Sequence, residues 1–207
     1  MDKKIIINVG RQLGSGGHDI GRMLALDFGA QYYDRELLNL AAKESGLSER
    51  FLEKNDEHRS FFRSFLHLPG SLGASADYSR QSFSQDSFFK FQSDAIMKAA
   101  SQHSCVFVGR CADYVLREMP NVVNVFITAS LDFRVEQVMT KRHFATRQEA
   151  RKFIEQGEAD RASYYNYYTG KKWGAAESYD LCIDSSVLGL KETELFIAEF
   201  VRKKLRV

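Results

Sequence analysis

The 207-residue chain has little proline and cysteine: two prolines and three cysteines. The cysteines, at 105, 111 and 182, show no C-x-x-C spacing. That speaks against a zinc–thiolate site and suits a reducing compartment. Cys105 and Cys182 lie in apolar, strand-like runs and are expected to be buried packing, whereas Cys111 follows an arginine at an expected strand end. No apolar run approaches the ~18 residues of a membrane span. The first residues, "MDKKIIINV", enter a strand pattern directly, without the apolar core and cleavage site of a signal peptide, so a cytoplasmic location is expected. Charge of either sign is not in excess: 29 Lys and Arg against 27 Asp and Glu give +2, too little to argue for nucleic acid as a partner. Internal repeats are also absent. What remains is 44% hydrophobic and 27% charged, an ordinary composition for one domain with its own core.

Five short apolar runs read as strands: residues 4–9, 30–34, 104–109, 122–128 and 179–185. Most do not alternate polar with apolar, which suits strands covered on both faces of a parallel sheet. Helical patterns separate them. "DIGRMLALDFG" puts Ile20, Met23, Leu24 and Ala25 on one face and ends at Gly29. "RELLNLAAKES", "FFKFQSDAIMKAASQ", "CADYVLREM", "ASLDFRVEQVMTKRH", "TRQEARKFIEQGEADRASYYNYY" and "LKETELFIAEFVRKKL" follow. Such alternation predicts an α/β fold with a parallel sheet. Residues 55–84 break the rhythm, being rich in Ser, Phe and Gly and holding Pro69. They read as an insertion with one short helix near 61–66. The phenylalanines suit folding over a ligand or over a second copy of the chain.

The stretch "NVGRQLGSGGHDIGRML", from Asn8, runs from a strand through glycines into a helix. Backbone N–H groups and the helix dipole make such a place an anion site, and glycines let a phosphate approach closely. Two phosphate-binding families compete for it. Gly10, Gly14 and Gly16 match the G-x-x-x-G-x-G of NAD(P)-dependent short-chain dehydrogenases, and Tyr167 and Lys171 match that family's Y-x-x-x-K. The serine expected a dozen residues before the tyrosine is missing, as is the family's "NNAG" turn. The other candidate is the phosphate loop of nucleotide kinases, G-x-x-x-x-G-K-[ST]. Here the lysine position falls on Gly16 or Gly17, and the nearby cations are Arg11, His18 and Arg22.

The pieces "RQLGSGGHDIGRMLA", "YYDRELL", "VFVGRCADYVL", "DRASYYNYYTGKKWG" and "YDLCIDSSVLG" come in the order of one family and span nearly the whole chain. The sequence resembles the cytidylate kinase-like family of P-loop proteins, in a branch whose "GSGG" loop has no lysine. The resemblance implies a P-loop NTPase fold: a five-stranded parallel sheet flanked by helices, with an acceptor-binding insertion and a helical lid over about residues 141–172. It implies transfer of the γ-phosphoryl group of ATP to CMP or dCMP, with Mg2+. Such chemistry rests on positioning and charge neutralisation. Non-catalytic nucleotide binding on the same fold, and a kinase for another small acceptor, are the alternatives.

Carried over by position, Gly14, Ser15, Gly16, Gly17 and His18 are expected to cradle the donor phosphates. Asp19 stands near the loop hydroxyl that meets magnesium; it is read either as a metal contact through water or as the N-cap of the following helix. Asp34 and Arg35 face the acceptor or cap a helix. Lys90 and Gln92 either contact the acceptor or lie on a solvated face. Arg110 and Asp113 follow the third strand: an arginine fork suits phosphate, and a carboxylate can accept from a cytosine amino group. Arg11, Arg110, Arg142 and Arg161 are the expected catalytic cations, with Asp160 as a further charged lid position. Tyr164, Tyr165, Tyr167 and Tyr168 stand where relatives use arginines. They suit stacking on a base, hydrogen bonding to phosphate, or packing the lid on the body.

Overall fold

The computed structural model describes residues 4–34 and 78–207. Arg35, the helix expected at "RELLNLAAKES", and residues 55–77 of the expected insertion, with the short helix near 61–66, lie outside the described residues.

Five strands form one parallel sheet in the order β2-β3-β1-β4-β5. They are β1 (Ile6–Arg11), β2 (Gln31–Tyr33), β3 (Cys105–Val108), β4 (Val122–Thr128) and β5 (Leu181–Asp184). Between and after them run α1 (Gly17–Asp27), α2 (Tyr78–Gln102), α3 (Ala112–Val115), α4 (Leu131–Arg142), α5 (Arg147–Thr169) and α6 (Ser185–Leu205). All five expected strands form, because runs such as Ile6-Ile7 and Val106-Phe107-Val108 have apolar groups for both faces. Ile7, Val9, Val106, Val108 and Val125 pack under α1 and α6. Ile6, Cys105 and Phe107 point the other way, onto Ile96 and Ala100 of α2 and onto Ala112 and Leu116. The helix expected over "CADYVLREM" shortens to the four residues of α3; a run of left-handed residues just before it uses up its start. Cys182 is exposed rather than buried. It sits on β5, at the sheet edge, where a strand has a neighbour on one side only. Cys105 and Cys111 are buried.

Helices α4 and α5 form an antiparallel hairpin with a small core of its own: Val135, Val138, Ala150 and Ile154. Thr146 starts α5 through a capping box with Glu149, and Ser130 caps α4. Leu13, from the loop after β1, inserts into this core. It seats on Gly157, where a Cβ would lie 2.6 Å from Leu13 Cδ1. Among the described residues no helix is long and apolar enough to cross a membrane.

Candidate functional site

Strands β1 and β3 are neighbours, but the chain leaves them toward opposite faces, into α1 and into α3. A crevice opens at their carboxyl ends, where open α/β sheets place ligands. The glycine loop forms one wall. Gly14 and Gly16 hold positive φ of 86° and 79°, as the tight curl requires. Gly16, in the left-handed conformation, is the N-cap of α1, so Asp19 is not the cap. The Ser15 side chain faces inward: its Oγ donates to Gln12 O at 2.9 Å, and Ser15 O accepts from Ser185 Oγ at 2.7 Å. The loop therefore offers a ligand backbone rather than hydroxyl: the first N–H groups of α1, which have no partner within the helix.

Arg11 ends β1 and crosses this crevice. A Cβ on Gly17 would lie 2.6 Å from Arg11 Cβ and 2.7 Å from its Cγ. The arginine stem thus fills the space where a loop lysine would begin. Its guanidinium lies over Gly109, whose missing Cβ would be 2.0 Å from Nη1. Arg161, from α5, donates from Nη1 to Arg11 O at 3.2 Å. Burial foremost, then the charges of Arg161 and Arg110, pull the Arg11 guanidinium down to about 9. Arg161 is lowered too, mainly by burial and further by Arg110. Asp34, buried at the end of β2, offsets the Arg11 charge only weakly, and Arg11 Nε is buried without a hydrogen-bond partner among the described residues. Three guanidinium groups thus share one partly dry crevice, and an anion bound there would relieve their repulsion.

Arg110 stands on a strained turn. Gly109, Arg110 and Cys111 have φ of 78°, 62° and 56° in succession. The left-handed region costs a non-glycine residue about 1–2 kcal/mol. Its guanidinium lies over the Tyr164 ring, 5.0 Å from the centroid.

His18 completes the cluster: its Nε2 is 3.4 Å from Arg11 Nη2, and its Nδ1 is 3.0 Å from Tyr32 Oη and 3.9 Å from Asp34 Oδ2. Burial and the Arg11 charge lower the imidazole to about 4, so it is neutral near pH 7. Facing an arginine donor, Nε2 acts as acceptor, which leaves the proton on Nδ1. An unfolded chain would take up this proton near 6.5, before the folded one does. The His18 contribution therefore destabilises the fold as pH falls from about 6.5 toward about 4. Thermal melts of the protein and of His18→Gln should converge over that window; melting curves that stay parallel from pH 7 to 4.5 would refute the neutral assignment.

The α4–α5 hairpin is fastened to the loop. Glu158 accepts from Leu13 N at 2.8 Å and pairs with Arg134 Nη1 at 3.0 Å, while Arg134 Nε donates to Ala129 O at 3.1 Å. Lys141 Nζ pairs with Asp19, in the first turn of α1. Sequence reasoning missed Arg134, Glu158 and Lys141 because charged residues on a polar helix read as solvated. One signal was available: Glu158, Arg161 and Tyr165 continue the helical stripe that Ala150 and Ile154 begin.

Other expected residues take different places. Tyr165 is buried and donates to Asp113 Oδ2 at 2.6 Å. Asp113, raised mainly by burial, also accepts from its own N–H and that of Tyr114, so its carboxylate serves the fold. Tyr164 Oη donates to buried Gln92 Oε1 at 3.3 Å, and Tyr168 stacks on Phe89 with centroids 4.1 Å apart. These tyrosines pack α5 on α2 and α3. Lys90 is exposed. Arg142 is exposed over the Phe153 ring, 5.7 Å from its centroid, and Asp160 is exposed and bonded to Gln156 of its own helix; neither is brought to the arginine cluster. Tyr167, the dehydrogenase-like tyrosine, is 69% exposed on the outer face of α5, away from the glycine loop's crevice. Among the described residues no three His, Cys, Asp or Glu gather as a metal site.

Comparison with known structures finds the same architecture elsewhere. An uncharacterized protein from Eubacterium ventriosum is 26% identical, covering 96% of this chain and 98% of that one, with a TM-score of 0.73. Shikimate kinase from Bacteroides thetaiotaomicron is 13% identical, with 98% and 99% covered and a TM-score of 0.53. TT1252 from Thermus thermophilus is 16% identical, with 96% and 98% covered and a TM-score of 0.52. At such identities the last two show the fold alone, an α/β P-loop NTPase fold. No curated protein matches the chain. The model of the cytidylate kinase-like family matches residues 6–187, and the chain belongs to that family.

Proposed function

We propose that the protein is an ATP-dependent phosphotransferase whose acceptor is a nucleoside monophosphate, CMP or dCMP by family likeness. The observation that carries this reading is the meeting of Arg11, Arg110 and Arg161 between the glycine loop and the β3 turn. Phosphoryl transfer between two anions needs positive charge on both sides of the moving group. The donor phosphates fit the Gly14–Asp19 curl at the start of α1. Asp19, in the first turn of α1, is the carboxylate that would hold a magnesium ion beside the donor. When bound it would neutralise donor charge. Arg11 and Arg110 hold the acceptor phosphate, with Asp34 beside them at the end of β2. The α4–α5 hairpin serves as the lid, and Arg161 brings the lid's charge to the reacting group while excluding water.

One observation favours a different small anionic acceptor: the Asp113 carboxylate, expected to read a cytosine amino group, is occupied by Tyr165 and two backbone N–H groups. A single experiment decides among these readings. The protein is incubated with ATP, Mg2+ and a panel of nucleoside monophosphates and small hydroxy acids, and ADP release is followed. Turnover on CMP or dCMP is expected. Turnover only on another acceptor moves the substrate. No turnover, with ATP still raising the melting temperature, leaves a nucleotide-binding protein.

A further inference from the structure

The structure separates the space a loop lysine would fill from the place its charge would serve. Arg11 fills the lysine's space with its stem, but its guanidinium lies over Gly109, at the β3 end of the crevice. The start of α1, where donor phosphates fit, is met instead by a cation from far along the chain: Lys141 Nζ, paired with Asp19 in the first turn of that helix. We propose that Lys141, in the last turn of α4, supplies in the closed lid the positive charge at the β- and γ-phosphates that the loop lacks. This rests on the nucleotide-binding reading above.

The placement suits an exchange of partners. Both members of the pair are about half exposed, with side-chain accessibilities of 51% and 42%, so neither is locked by packing. An exposed pair of this kind contributes little stability and is easily exchanged. A bound magnesium nucleotide offers Asp19 a metal and Lys141 a phosphate, and lysine is a compact charge on a flexible stem that can follow it. The cation arrives only with the hairpin, which Leu13, Glu158 and Arg134 already hold to the loop. Neighbouring Arg142 turns instead to Phe153.

The test compares Lys141→Met, Lys141→Arg and Arg151→Met, the last removing a lid cation bonded to Glu155 of its own helix at 2.9 Å. Binding of AMP, ADP and ATP with Mg2+ is read from the fluorescence of Trp173, the chain's one tryptophan, or by calorimetry if that signal is flat. Turnover is read on the best acceptor. Lys141→Met should weaken ATP at least about tenfold more than AMP and lower kcat about 100-fold. Lys141→Arg should restore most of both, and Arg151→Met should match the parent. A mere latch between lid and loop would shift all three nucleotides alike, and that result overturns the proposal. So does unchanged kcat in Lys141→Met beside an active parent, which leaves the kinase reading intact. If the parent binds ATP without turning over, loss of ATP preference in Lys141→Met still supports the inference while the kinase reading fails. A parent that binds no nucleotide overturns both.

Discussion

Arg110→Gly is expected to cut phosphoryl transfer at least about 100-fold and to keep the fold more stable than Arg110→Ala does. Arg110 holds φ of 62° within a run of three left-handed residues, in a cluster where Arg11 and Arg161 repel it. Relief of the left-handed strain gives back about 1–2 kcal/mol. Against this stand the greater backbone freedom of glycine in the unfolded chain, about 0.4–1 kcal/mol, and the lost stacking on Tyr164, about 0.5–1 kcal/mol. Activity should fall at least about 100-fold, since a guanidinium placed for a phosphate acts only where it stands. Arg110→Ala sharpens the comparison. It should be equally inactive but about 1 kcal/mol less stable than the glycine variant, because alanine keeps the strain. Thermal melts and the ADP-release assay measure both quantities. An active Arg110→Gly enzyme, or an alanine variant more stable than the glycine one, would refute the role given to this turn.

Gly14→Ala should unfold the loop's attachment to the lid. At Gly14 φ is 86°, and a Cβ would lie 2.7 Å from Arg134 O and 3.0 Å from Arg134 Cα. The obstacle is helix backbone, pinned by the Arg134 bonds to Ala129 and Glu158, so it cannot swing aside. Strain and overlap together should cost about 2–4 kcal/mol. For a chain of this length that lowers the melting temperature by roughly 5–15 °C. ATP should no longer raise it. Gly29→Ala is the matched comparison: φ is 56° there, but nothing lies within 4 Å of the added atom. It should lose only about 1 kcal/mol. Equal losses in the two variants would mean that the close approach of loop and α4 carries no weight.

The match of expectation to structure varied with the kind of information each residue carried. The strands were legible because Ile6, Ile7 and Val9, and Val122 to Ile127 apart from Asn124, supply apolar groups to both faces, a local pattern that survives any tertiary arrangement. Arg11, Arg110 and Arg161 were legible as cations at strand ends and in a helix that followed the family's order. Arg142 and Asp160 had the same kind of signal, yet they face outward, because the twist of α4 and α5 about their shared core decides which positions turn inward. Cys182 misled for a related reason: an apolar run does not tell an edge strand from an inner one.

By itself, the sequence determined the α/β alternation, the glycine curl, the missing loop lysine and the supply of arginines, since all of these are local or compositional. The tertiary structure decided where the charges went. It laid Arg11 along Gly17 and over Gly109, turned Asp113 to Tyr165, and brought Lys141 across 122 positions to Asp19. Such contacts depend on which chain segments the sheet order and the helix hairpin make neighbours. Long-range electrostatics is set by that geometry, and no window of sequence contains it.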